Sequence, residues 1–132
     1  MSYEEHEQEL LKYIETVVSR YKSSPALAYW QVENEPFLVY FSRAHCGIHN
    51  ERVKELLKKE IELVRQLDPT RQIIVTDSGE FGDWFRAYSY GDVFGTSLYL
   101  YVWPRSVGFP LRYPITPAFF RIKHNLVRLF LG

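Results

Sequence analysis

Helical and strand-like segments alternate along this chain, and their order constrains the fold more than any other feature of the sequence. Apolar residues recur at helical spacing in residues 2–22, 50–67 and 116–131. Short apolar runs, typical of strands in a parallel sheet buried by helices, lie at residues 26–32, 73–76 and 93–99. A further short helix is predicted over residues 83–88. This order predicts parallel βαβ units.

The chain has the length of one domain, although three strands are few for a doubly wound sheet. Its 132 residues, 46% of them hydrophobic, suffice for one core, and no linker or repeat divides them. We therefore treat residues 1–132 as one domain. The chain begins and ends with a helix, as though cut from a longer alternation. An α/β segment of an eight-stranded barrel, about three parallel strands with flanking helices, is the simplest fold.

Charge and cysteine content narrow the classes of partner that we expect. The 16 Lys and Arg residues balance 16 Asp and Glu residues, so we expect neither nucleic acid nor an anionic membrane as a partner. No apolar run approaches the roughly 18 residues of a membrane span, and the acidic start does not resemble a signal peptide. The single cysteine, Cys46, excludes an internal disulfide and leaves the compartment open.

Polar side chains follow each predicted strand at its carboxyl end. In a barrel these ends meet at one mouth, where loops vary while the strands hold them. The groups in question are Asn34 and Glu35 after the first strand, Asp77 and Glu80 after the second, and Tyr99 and Tyr101 after the third.

The segment Tyr29–Pro36, with the sequence YWQVENEP, resembles the end of the fourth barrel strand in clan A glycoside hydrolases. Family 5, the cellulase and mannanase family, is the nearest. Residues 13–36 resemble its third helix and fourth strand, and residues 67–76 resemble its fourth helix and fifth strand. The resemblance covers nearly the whole chain and implies a fragment that extends from the third to the sixth helix of the barrel.

The resemblance implies roles for individual residues. Glu35 would be the general acid/base and Asn34 a hydrogen-bond donor to the sugar hydroxyl beside the anomeric carbon. An alcohol leaves a sugar only when the glycosidic oxygen is protonated, so the acid must stay protonated near neutral pH. Tyr99 and Tyr101 resemble the aromatic residues after the sixth strand, where one phenol bonds the nucleophile. No cofactor is implied.

Several of these residues have an ordinary structural alternative. Glu35 could be a solvated loop carboxylate near a helix start, and the two tyrosines could belong to the core or the rim. Trp84 and Trp103 could stack on sugar faces or pack under their loops. For Glu33 we expect a structural role, for instance pairing with an arginine.

A metal site is not expected. His45, Cys46 and His49 lie in one loop but lack the second pair of ligands that a zinc site normally shows.

The sequence lacks a second catalytic carboxylate in the expected position. A retaining hydrolase needs two carboxyl groups about 5 Å apart, and the family's nucleophile follows the seventh strand, beyond Gly132. Glu80 lies at a strand end but follows the fifth strand. Two functions remain open. The chain is part of a retaining glycoside hydrolase acting on carbohydrate, or a non-catalytic barrel remnant that binds carbohydrate or self-associates through unpaired sheet edges and apolar barrel-facing strand sides.

Overall fold

The computed structural model describes residues 3–37 and 50–132. Along the chain, four helices and five strands are described in these two ranges: α1 (Tyr3–Tyr21), β1 (Trp30–Asn34), α2 (Asn50–Leu67), β2 (Ile73–Ser78), α3 (Trp84–Ala87), β3 (Val93–Ser97), β4 (Tyr101–Val102), β5 (Leu111–Arg112) and α4 (Pro117–Leu131). The predicted alternation of helices and strands is confirmed.

β1, β2 and β3 form a three-stranded sheet in that order, and both pairs of neighbours are parallel. The predicted α/β class, with three parallel strands and flanking helices, is therefore confirmed. Because the strands run in the same direction, the residues after Asn34, Ser78 and Ser97 lie at the same edge of the sheet.

β1 begins four residues later than predicted, at Trp30 rather than Ala26, and extends to Asn34. The reason is Arg71, whose guanidinium donates to the carbonyl oxygens of Lys22, Ser24 (2.9 Å) and Leu27 (3.0 Å). These carbonyls are held by one side chain, so the loop before β1 stays a turn and does not join the ladder.

One hydrophobic core lies between the helices and one face of the sheet. Val18 of α1, Leu57 and Val64 of α2, and Ile73 and Val75 of β2 are at most 2% exposed and belong to a single cluster. Alternate residues of a strand point to opposite faces, so this face of β2 is covered by helices. Among the described helices none is long and apolar enough to span a lipid bilayer.

The opposite face of the sheet is open and more polar than expected. Gln31 and Asn34 are exposed there and both bond to Thr76. The sequence predicted strands buried on both faces, with apolar sides facing the barrel, and this prediction is wrong near the carboxyl edge.

An antiparallel pair that the sequence did not predict follows β3. Tyr101 pairs with Arg112 and Val102 with Leu111, so β4 and β5 form an antiparallel ladder of two residue pairs outside the parallel sheet. Such short ladders carry no periodic apolar signal and depend on contacts between residues nine and eleven positions apart.

Candidate active site

The carboxyl end of β1 contains a register irregularity that turns two side chains to the same face. Gln31 pairs with Ile74 and Asn34 with Thr76, so three steps along β1 match two steps along β2. An extra residue of this kind is a β-bulge, which re-aims side chains. Gln31 Nε2 donates to Thr76 Oγ1 at 3.0 Å, and Thr76 Oγ1 donates to Asn34 Oδ1 at 3.0 Å. Asn34 is therefore fixed on the open face, next to Glu35.

Glu35 directly follows β1 and has an unusual backbone conformation. Its φ of 59° lies in the left-handed region, which costs a non-glycine residue roughly 1–3 kcal/mol. Its N–H donates to Thr76 O at 2.9 Å, which ties the residue to the neighbouring strand. The side chain is half-buried, and Oε1 is buried without a hydrogen-bond partner. A carboxyl group held in this way can exchange a proton with a bound molecule.

Asp77, near the end of β2, provides a second carboxyl group that interacts with Glu35. It is fully buried; Oδ1 accepts from the Ser78 N–H at 2.8 Å, and Oδ2 has no hydrogen-bond partner. Burial raises the pKa of Asp77 to about 6; the Ser78 N–H and Lys123 oppose this rise, and the Glu35 charge adds to it. Asp77 thus holds a negative charge above about pH 6.

Glu80 lies in the turn after β2 and contacts a tyrosine that sequence reasoning missed. Its Oε2 is buried without a hydrogen-bond partner. Burial raises the pKa of Tyr113 to about 12, and a hydrogen bond to the Glu80 carboxylate adds to this rise. The phenol therefore stays protonated and serves as a donor to Glu80. Tyr113 follows the unpredicted β5, so no signal in the sequence pointed to it.

Lys123 of α4 places a cation among these carboxyl groups. Its Nζ donates to Gly79 O at 3.1 Å and Gly82 O at 2.8 Å, and it lies 4.5 Å from the centroid of the Trp84 ring. Burial lowers the pKa of Lys123, while Asp77 and other nearby carboxylates raise it. Lys123 was not identified from the sequence. The signal that could have identified it is a lysine on the inward face of α4, where a buried charge needs a partner.

The aromatic residues proposed for sugar binding divide into two groups. Tyr99, Tyr101 and Trp103 follow β3 and are 55%, 61% and 67% exposed. Trp84 is only 2% exposed; its Nε1 donates to Ser78 O at 2.8 Å and its ring packs against Phe94. The proposed stacking role of Trp84 is corrected to packing, because neither ring face is open to a ligand.

Glu33 has a structural environment, and within the described residues its neighbour is a glutamate rather than an arginine. Its Oε2 accepts from the Asn34 N–H at 3.2 Å, and its charge faces Glu60 of α2. Burial raises the pKa of Glu33. The expectation of an arginine partner finds no support in residues 3–37 and 50–132, where β1 turns Glu33 toward Glu60 of α2, and Arg43 lies outside the described residues.

Metal binding finds no support in the described part of the chain. Across residues 3–37 and 50–132, no group of three His, Cys, Asp or Glu side chains is placed to hold a metal ion. His45, Cys46 and His49 lie outside the described residues.

Comparisons with models of known protein families, with curated proteins and with solved structures found no match to this chain. The glycoside hydrolase resemblance therefore rests on the sequence motif alone. The geometry of the site around Glu35 is an observation independent of that motif.

Proposed function

We propose that this chain carries the general acid/base and part of the sugar-binding surface of a retaining glycoside hydrolase. Its three parallel strands would then be an arc of a (β/α)8 barrel. The observation that supports this proposal most is Glu35, a half-buried carboxyl group with an unpartnered oxygen at the carboxyl edge of a parallel sheet. Its left-handed backbone adds support, because residues held in such strained conformations cluster at active sites.

In the proposed reaction Glu35 gives its proton to the glycosidic oxygen while a nucleophile attacks the anomeric carbon and the carbon–oxygen bond breaks. Asn34 suits the role of donor to the neighbouring sugar hydroxyl. Its Oδ1 already accepts from Thr76, so the amide nitrogen is the end available to a ligand. The exposed rings of Tyr99, Tyr101 and Trp103 would form the sugar-stacking surface.

Neither other carboxyl group at this edge fits the nucleophile. Asp77 is fully buried, on the strand face that the helices cover. Glu80 follows β2, which the resemblance makes the fifth barrel strand, whereas the family's nucleophile follows the seventh. We therefore propose that the nucleophile comes from residues outside this sequence, and that this chain alone does not hydrolyse glycosides. Asp77 would instead place a negative charge near Glu35, and Glu80 would accept the hydrogen bond from Tyr113.

An external nucleophile tests the role of Glu35 in this chain directly. Azide can attack the anomeric carbon of an aryl β-glucoside or β-mannoside while Glu35 protonates the departing phenol, which gives a glycosyl azide and the free phenol. We expect azide-dependent release of phenol from a phenyl glycoside, with no release in its absence. The Glu35→Gln variant should lower the azide-dependent rate at least about a hundredfold.

Two controls separate this chemistry from damage to the fold. Dinitrophenyl glycosides should be affected far less by Glu35→Gln, because dinitrophenolate leaves without a proton. Glu80→Gln should leave the azide reaction within about threefold of the unsubstituted chain, since it removes charge but not the proton donor. Equal rates for the unsubstituted chain and Glu35→Gln on phenyl glycosides would refute the assignment, and sugar binding with no azide product would favour the non-catalytic remnant.

A further inference from the structure

The zero net charge of the chain conceals an acidic end and a basic end. All 16 acidic residues lie in residues 1–92, whereas residues 93–132 contain five Lys and Arg residues and no acidic one. The helices at the two ends differ in the same way. α1 carries five glutamates and two cations, and α4 carries Arg121, Lys123 and Arg128 with no acidic side chain.

α4 also has an apolar arc that is largely exposed, although Phe130 at its edge packs against Phe85. Its inward face is fixed by Lys123 and the buried Val127. The arc comprises five outward side chains that are between 41% and 75% exposed: Phe119, Ile122, Leu126, Leu129 and Phe130. An apolar stripe of five large side chains on one helix normally packs against another helix or strand. Within the described residues, Arg121 and Arg128, on the adjacent polar face, form no ion pair.

A second exposed apolar surface, a groove, lies between α1 and β1. It encloses about 240 Å³ between α1 and β1 and is lined by Tyr13, Ile14, Val17, Trp30 and Val32, among others. Tyr13 is 66% exposed, and β1 is an edge strand of the sheet.

The face of α1 that carries Tyr13 is acidic toward its N-terminus. Glu5 and Glu9 precede Tyr13 by eight and four residues, so all three lie on one face of the helix, which also carries Lys12. Arg20, further along, stacks on Tyr21 with its guanidinium carbon 5.5 Å from the ring centroid.

We propose that α4 of one copy docks on the α1–β1 groove of a second copy, head to tail. The apolar arc would cover Tyr13 and the groove, and Arg121 and Arg128 would approach Glu5 and Glu9. Pairing α4 with α4 instead would bring like charges together. Because each copy carries both surfaces, the contact is heterologous and either closes into a ring or extends. This inference concerns helix faces rather than sheet edges alone and does not depend on the proposed reaction.

Charge reversal on each surface gives a test that a folding defect cannot imitate. The unsubstituted chain should have a mass of at least twice 15.7 kDa by light scattering, and its association should weaken at least about tenfold in high salt. Arg121→Glu with Arg128→Glu, or Glu5→Lys with Glu9→Lys, should each give a monomer. Mixing the two variants should restore association, because each reversed surface then meets its complement.

Three further results decide the inference. Leu129→Asp should weaken association at least about tenfold, and Glu35→Gln and Glu62→Lys should leave it unchanged. A monomeric unsubstituted chain, or reversed variants that associate alone or fail to associate when mixed, would overturn the proposal. A monomer that binds phosphatidylglycerol vesicles through α4 would overturn it in favour of an anionic membrane as the partner.

Discussion

We expect Glu60→Gln to remove most of the pH dependence of stability between pH 6 and pH 8. Glu60 lies on α2, is 1% exposed, and has no hydrogen-bond partner on either carboxyl oxygen. Burial, reinforced by the charges of Glu33 and Glu7, raises the pKa of Glu60 to about 8. In the unfolded chain the same group has its ordinary pKa of about 4.3.

The sign follows from the protons that each state binds. Between about pH 4.3 and pH 8 the folded protein keeps the Glu60 proton while the unfolded chain has lost it, so stability falls as pH rises. Each pH unit in this window costs about 1.4 kcal/mol, which gives at most about 5 kcal/mol over the full window and about 2 kcal/mol from pH 6 to pH 8. Below pH 4.3 this loss is absent.

Urea denaturation at pH 6, 7 and 8, followed by circular dichroism at one protein concentration, measures this slope. Asp77 has a pKa of about 6, so half of its titration lies above pH 6 and adds only about 0.4 kcal/mol to the change in stability between pH 6 and pH 8. The raised pKa of Glu33 acts in the same direction and leaves a small residual slope. Glu62→Gln, on the exposed side of α2, should keep the full slope. If the unsubstituted chain has the same stability at pH 6 and pH 8, or Glu60→Gln shows an equal slope, the reasoning fails.

Three further substitutions test the packing around the site. Asp68→Asn should cost about 3 kcal/mol by urea denaturation, because Asp68 is 4% exposed and accepts from Trp30 Nε1 and Arg71 Nη1 at 2.9 Å each. A hydrogen bond from the Thr70 hydroxyl, together with those from Trp30 and Arg71, holds the pKa of Asp68 well below its usual range, so this stability should be lost as pH falls below about 4. Gly79→Ala should cost about 1–3 kcal/mol of stability, because the Cβ of the new alanine would lie 2.5 Å from Ser97 O. Equal melting temperatures for this variant and the unsubstituted chain would contradict this prediction. Trp84→Ala should cost about 3–5 kcal/mol by the same assay, whereas a sugar-stacking residue would leave stability unchanged.

Local signals in the sequence were sufficient for the main elements and for the edge at which the site lies. The apolar spacing of α2 predicted Asn50–Leu67 with both bounds correct, because one face of a helix repeats every 3.6 residues whatever surrounds it. The placement of Glu35, Glu80 and Tyr99 after three parallel strands was likewise predictable. Consecutive strands joined by helices run parallel, so their carboxyl ends meet.

Contacts between residues distant in sequence decided the rest. Arg71 moved the start of β1 by binding carbonyls more than 40 residues away, and the bulge before Asn34 arose from pairing with β2. The burial of Trp84 and the position of Lys123 among carboxyl groups depend on α4 docking against the turn after β2. Sequence periodicity reports the face that a residue occupies on its own element. Which groups meet across elements, and whether water remains between them, is decided only when the elements pack.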